Sequence, residues 1–187
     1  MNRLLVISAL LISFLFLAGC VNISAEHTVL PDATIFGNIS FSGPAVKGGL
    51  VTCSSLKSNR PDLKCKEVDS STISVEGEMG SDQLYATKTD AGSYTEYDYY
   101  WNSDMWSNET IRNYTDYITV NTRVTMPGEV SETNGQRLDK QTVYFKDVQK
   151  MSETAHVKSR VQKFSCFLSP ALILLPLLTI FVFYRKT

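Results

Sequence analysis

The feature that most restricts this chain lies near its end. Residues 167–184, FLSPALILLPLLTIFVFY, are eighteen in a row without a charge. A helix of that length spans about 27 Å at about 1.5 Å per residue, close to the roughly 30 Å hydrocarbon core of a bilayer. A buried helix of a soluble protein is the competing reading, and core helices of this length rarely lack every charge. The stretch therefore reads as a transmembrane helix, 167–184, followed by a short tail, 185–187, that carries Arg185 and Lys186. Pro176 removes a backbone donor in mid-stretch and predicts a kink.

The other end carries a second membrane signal. Residues 1–20 read MNRLLVISALLISFLFLAGC: a basic Arg3, an uncharged apolar run over 4–16, then Leu17-Ala18-Gly19-Cys20. The run has the length of a signal-peptide core and is short for a spanning helix. The last four residues have the form of a lipoprotein processing site, in which the Cys20 thiol would take a lipid after 1–19 are removed. An ordinary signal peptide and an uncleaved signal anchor are the alternatives. A signal peptide places 20–163 on the extracytoplasmic side of a single-pass cell-membrane protein and leaves 185–187 in the cytoplasm. Lys158, Arg160 and Lys163 precede the anchor, so local charge alone does not set this orientation.

Charge restricts the partners. The chain has 18 Lys plus Arg and 19 Asp plus Glu; without Arg3, Arg185 and Lys186 the middle keeps 15 bases against 19 acids. That balance argues against nucleic acid, which needs a basic face.

Between the anchors the pattern is mainly that of strands. Residues 21–30 place Val21, Ile23, Ala25, His27 and Val29 on one face, and Pro31-Asp32-Ala33-Thr34 is turn chemistry. A partner strand follows over 35–41. Residues 45–56 carry Val46, Leu50 and Val51 at helical spacing, interrupted by Gly48-Gly49, and predict a short helix. The polar 54–62 reads as a loop. Further strands are expected over 72–78, 83–89, 93–101, 117–126, 142–145 and 154–161, with turns at Pro127-Gly128 and Asn134-Gly135. The sum is an α+β domain, mainly antiparallel sheet with one or two short helices. Both of its ends are expected at the membrane-facing side.

The order of these segments resembles a known family. A lipobox Cys opens into a strand, a Pro-Asp-Ala-Thr turn follows, and residues 124–145 read VTMPGEVSETNGQRLDKQTVYF. A strand ending in Pro-Gly-x-Val, then Asn-Gly, then a Thr-Val-x-Phe strand is similar to the LppM-type domain of bacterial and archaeal lipoproteins. The likeness covers 20–165 in layout and only the two ends in motif. Ala33 stands where the family usually has a turn glycine, which implies a different turn type. The resemblance implies an envelope lipoprotein, with lipid or glycolipid binding suggested for some members. It supplies no catalytic residue.

Candidate sites are few. His27 and His156 are the two histidines and lie far apart, so no metal-ligand spacing appears and no cofactor is implied. No Gly-x-Ser-x-Gly elbow occurs and no Cys lies near a His in sequence, so the chain reads as non-enzymatic. Tyr97, Tyr99, Trp101 and Trp106 belong to an aromatic cluster that could stack on sugars or lie against lipid headgroups. Aromatics also favour strands, and one face of 93–101 must be core. The strand is expected to bury Tyr97, Tyr99 and Trp101 and to expose Glu96 and Asp98. Asn108 and Asn113, in a polar loop, head the candidate glycosylation acceptors among four sequons. Of four cysteines, Cys20 belongs to the lipobox and Cys166 to the membrane edge. That leaves Cys53 and Cys65 as a disulfide in an oxidising compartment. The expected function is an envelope protein whose domain binds an amphiphile, glycan or protein, or else a structural factor that positions a partner complex at the membrane.

Overall fold

The computed structural model describes residues 21–49, 51–102, 118–151 and 153–163. Both apolar ends, Cys20, Trp106, Asn108 and Asn113 lie outside the described residues. Among the described residues no helix is long and apolar enough to cross a membrane.

Alternation governs the strands. β1 (Val21–Val29) and β2 (Ile35–Ser42) form the expected hairpin, with Ala25, His27, Val29 and Ile35 buried. Ala33 at the turn sits at φ +72°. The missing glycine therefore does not spare this turn a left-handed residue, a conformation that costs an L-residue about 1–2 kcal/mol. Ala33→Gly is expected to stabilise the domain by about 0.5–1 kcal/mol after glycine's larger unfolded freedom is subtracted. A higher urea midpoint would show it; a lower one would contradict it.

The single helix expected over 45–56 is two. α1 (Pro44–Lys47) ends at Gly48, and Gly49 at φ +74° turns the chain away. α2 (Cys53–Asn59) lies where a polar loop was expected. Its start is set by Thr52, whose Oγ1 accepts from the Ser55 backbone N–H at 3.2 Å while Ser55 Oγ accepts from the Thr52 backbone N–H at 3.2 Å. That reciprocal cap lets a serine-rich segment hold a helix its composition does not favour.

β3 (Lys64–Asp69), β4 (Thr72–Met79), β5 (Leu84–Asp90), β6 (Tyr94–Trp101), β7 (Ile118–Thr125), β8 (Glu129–Thr133), β9 (Gln136–Arg137), β10 (Thr142–Phe145) and β11 (Ala155–Gln162) complete the strands, with a 3₁₀ turn at Val148–Lys150. They make two sheets, ordered β3-β4-β2-β1-β7-β10-β9 and β5-β6-β11-β8. Among the described strands all pairings are antiparallel except β1 with β7. The domain is thus mostly strand, and the helices are minor elements.

The sheets pack through one core, in which Ala25, Val29, Val120, Val124, Val143 and Phe145 of the large sheet meet Tyr97, Tyr99, Trp101, Val130 and Val157 of the small one. Four strands cannot cover seven. The uncovered flank is closed by the helices, where Val46 packs with Ile73 and Val75 beside Phe41, Leu56 and Leu63. Cys53 opens α2 and Cys65 lies in β3; their sulfurs are bonded, with 5.5 Å between the Cα atoms. The bond fastens α2 to the edge strand. Cys53→Ser with Cys65→Ser is expected to lower stability by roughly 3 kcal/mol, the chain-entropy value for a loop of this size. Urea denaturation of the oxidised and double-serine proteins checks it, and equal midpoints would refute it.

The two domain ends do not share one pole, the arrangement that two membrane-facing ends would require of an upright domain. Val21 pairs with Ile118 at the start of β7. Gly128, just past the end of β7, lies against the main chain of Arg160 near the end of β11. Val21 and Val161 are therefore at opposite poles. The parallel β1–β7 pairing produces this, and no local sequence pattern reports a parallel pairing.

Candidate binding surface

β6 presents two chemically different faces. Inward, Tyr97, Tyr99 and Trp101 are 4%, 0% and 6% exposed. The Tyr99 hydroxyl lies 2.8 Å from His27 Nδ1, the Trp101 ring lies 5.2 Å from the imidazole, and the Tyr97 hydroxyl donates to the Pro31 carbonyl at 3.0 Å. Three of the four rings nominated from sequence as binding residues are thus core, and Trp106 lies outside the described residues. These rings cannot meet a ligand without opening the domain, which corrects their assignment as a binding patch. Burial also pushes the Tyr99 hydroxyl well up in pKa and lowers His27 to about 4.

Outward, register builds three rows across β5, β6 and β11. Tyr85, Tyr100 and His156 form the first, Thr87, Asp98 and Lys158 the second, and Thr89, Glu96 and Arg160 the third. Glu96 and Asp98 point to this outer face, as the alternation predicts, but they are half-buried rather than exposed, because basic side chains from β11 cover them. Arg160 Nε donates to Glu96 at 2.9 Å, Lys158 Nζ lies 3.6 Å from both carboxylates, and His156 Nε2 lies 3.3 Å from Asp98. The Arg160 hydrogen bond holds the Glu96 carboxyl below its usual range, and Asp98, then Glu96, raise Lys158. Alternating signs across neighbouring strands make this a self-neutralising ladder rather than a charged patch.

The first row is aromatic. Tyr85 and Tyr100 stack at 5.2 Å with 28° between planes; Tyr100 and His156 stack at 4.7 Å with 21°. Those spacings match the distance between strands, so the rings stand edge-up and spend their faces on one another. Tyr85 is the exposed end of the stack, 43% accessible on edge strand β5. This row went unnoticed in the sequence because Tyr85 and His156 lie outside the aromatic cluster. Alternation of 93–101 puts Tyr94 and Tyr100 on the outer face, but not their partners.

A second feature is an open groove of about 290 Å³ lined by Asn134, Gly135, Gln136, Tyr144, Phe145, Lys146 and Met151. It lies where the chain crosses from β8 in one sheet to β9 in the other, held by Asn134, which donates to the Thr154 carbonyl at 2.9 Å and accepts from His156 N–H at 2.9 Å. Its volume is at the low end for small-ligand sites.

No family model matches the sequence, and no curated protein matches it. A solved structure to which the chain is similar is that of the folded domain of the LppM protein of Mycobacterium tuberculosis, with 15% identity and a TM-score of 0.44 over 78% of this chain and 93% of that one. A likeness that distant carries neither a site nor an activity across.

Proposed function

We propose that this chain is a non-enzymatic cell-envelope protein, attached to the membrane through Cys20 and residues 167–184, whose domain binds a glycan or protein on its outer surface. The observation that carries the location is the Cys53–Cys65 bond, since such bonds persist outside the reducing cytoplasm. It agrees with a signal-like amino end and an uncharged carboxyl stretch. Tyr99, Trp101, Val124 and Val157 fill the space between the sheets, which favours a surface binder over a carrier that swallows an acyl chain. Edge strand β5, which has no neighbour on its outer side among the described strands and carries exposed Tyr85, is the best-equipped surface for a partner.

The test is affinity capture of the full chain extracted from its own membranes, as wild type and as Tyr85→Ala. A glycan or protein retained by the wild type and lost by the variant supports the reading. A stoichiometric acyl lipid, held equally by both, would oppose it. A structural role, positioning a partner complex, is the second reading, and the same open edge favours it. It predicts a protein partner at fixed stoichiometry and no glycan.

A further inference from the structure

The two membrane attachments leave the domain at opposite poles, and this restricts how the domain can sit. Val21, next to Cys20, starts β1 beside Ile118. At the other pole a Cβ on Gly128 would press against the Arg160 carbonyl, so the β7 end and the β11 end meet there. Lys163 is fastened at the same place: its backbone N–H donates to the Ser93 carbonyl at 3.0 Å, and its ammonium pairs with Asp90. The Tyr97 hydroxyl on the Pro31 carbonyl sets the β1–β2 turn on that side too.

The nine residues of β1 alone separate the poles by about 26 Å, at about 3.3 Å per residue. Cys20 is one Cα step, about 3.8 Å, from Val21, and the four residues from Lys163 to Phe167 reach at most about 14 Å. Neither tether can make up the difference. We infer that, when Cys20 carries lipid and 167–184 spans the same bilayer, the domain lies on its side. Its strands then stand no more than about 30° from the membrane plane, the tilt that a 14 Å rise over 26 Å permits. An upright domain would lift Cys20 far above the headgroups and draw its acyl chains into water. The inference rests on the two-point attachment proposed above.

Probes at the two ends of one strand read the tilt without interference from sheet width. Ser71 precedes β4 on the Val21 side, since Thr72 pairs with Ser42, and Ser42 with Asn22. Gly80 follows β4 at the other end, with open space around a side chain. The full chain with Cys166→Ser, acylated in membranes and reconstituted in phosphatidylcholine–phosphatidylglycerol vesicles, is labelled at Ser71→Cys or Gly80→Cys. Energy transfer to headgroup-labelled acceptor lipid is then measured. Comparable transfer from both sites, with most of the Ser71→Cys signal lost when Cys20→Ser is added, supports the side-lying domain. Weak transfer at Ser71→Cys in acylated protein, unchanged by Cys20→Ser, overturns it. The mass of each preparation separates the two levels. Acylated protein with unequal transfer defeats the orientation alone; Cys20 without acyl chains defeats the attachment and the orientation with it.

Discussion

Trp101→Ala is expected to cost the folded domain about 3–5 kcal/mol, the range for removing a large ring from a packed core. Trp101 is 6% exposed, lies opposite Leu84 on β5 and Ala155 on β11, and packs on His27 across the sheets. Its loss opens a cavity between the two layers, which close-packed neighbours fill only in part. Many domains of this size have 5–15 kcal/mol in all, so the variant should be partly unfolded or melt well below the wild type. A surface ring used for binding would behave differently: its removal would move stability by less than about 0.5 kcal/mol. Thermal melts of Trp101→Ala and Tyr85→Ala side by side separate the two roles. A wild-type midpoint for Trp101→Ala would mean that the inner face of β6 is not core.

Acidification is expected to remove about 3 kcal/mol of stability between pH 6.5 and pH 4 through His27 alone. Burial lowers the His27 pKa from 6.5 to about 4 in the folded chain, and each unit is worth about 1.36 kcal/mol. The fold favours the neutral ring, whereas the unfolded chain binds the proton at its ordinary value. The contribution is therefore complete above about pH 6.5, falls as the pH drops, and is exhausted near pH 4. Asp32, Asp69 and Asp139, whose carboxyls are held low by turn hydrogen bonds, act only below their ordinary value of 3.8, outside this window. His27 Nε2 has no hydrogen-bond partner among the described residues, so a second proton there would be stranded among apolar groups. His27→Leu with Tyr99→Phe removes the proton site and the hydroxyl that faces it. Urea midpoints at pH 7, 5.5 and 4.5 should slope steeply in the wild type and much less in this pair. Parallel slopes would remove His27 from the account.

Where alternation is strong, the sequence was a good guide. The inward sets of β1, β6 and β7 follow from period two, and β10 ends where Thr142 to Phe145 suggested. β3 was missed because KCKEVD is an edge strand with only Cys65 partly covered; it has little apolar face to announce it. β8 was missed because only Val130 of its five residues is buried. Its place comes from pairing with β11, a contact distant in sequence. Gln149 illustrates the same limit. Its side-chain amide accepts from Val120 N–H at 2.8 Å and donates to the Ile118 carbonyl at 2.7 Å, continuing the ladder of β7 past the end of β10. Nothing local marks a glutamine for that role. The aromatic strand shows the difference between face and function. Alternation separated Tyr97, Tyr99 and Trp101 from Tyr94 and Tyr100, yet Tyr85 and His156 join the outer row only through cross-strand register.

The central claim is an oxidised domain held in the envelope by two attachments. Intact mass of the full chain extracted from membranes, taken with and without a thiol reagent under native conditions, tests it most directly. The expected species lacks residues 1–19, carries acyl chains on Cys20, retains 167–184, and leaves Cys53 and Cys65 unmodified. An unprocessed, acyl-free chain whose Cys53 and Cys65 react readily would contradict it.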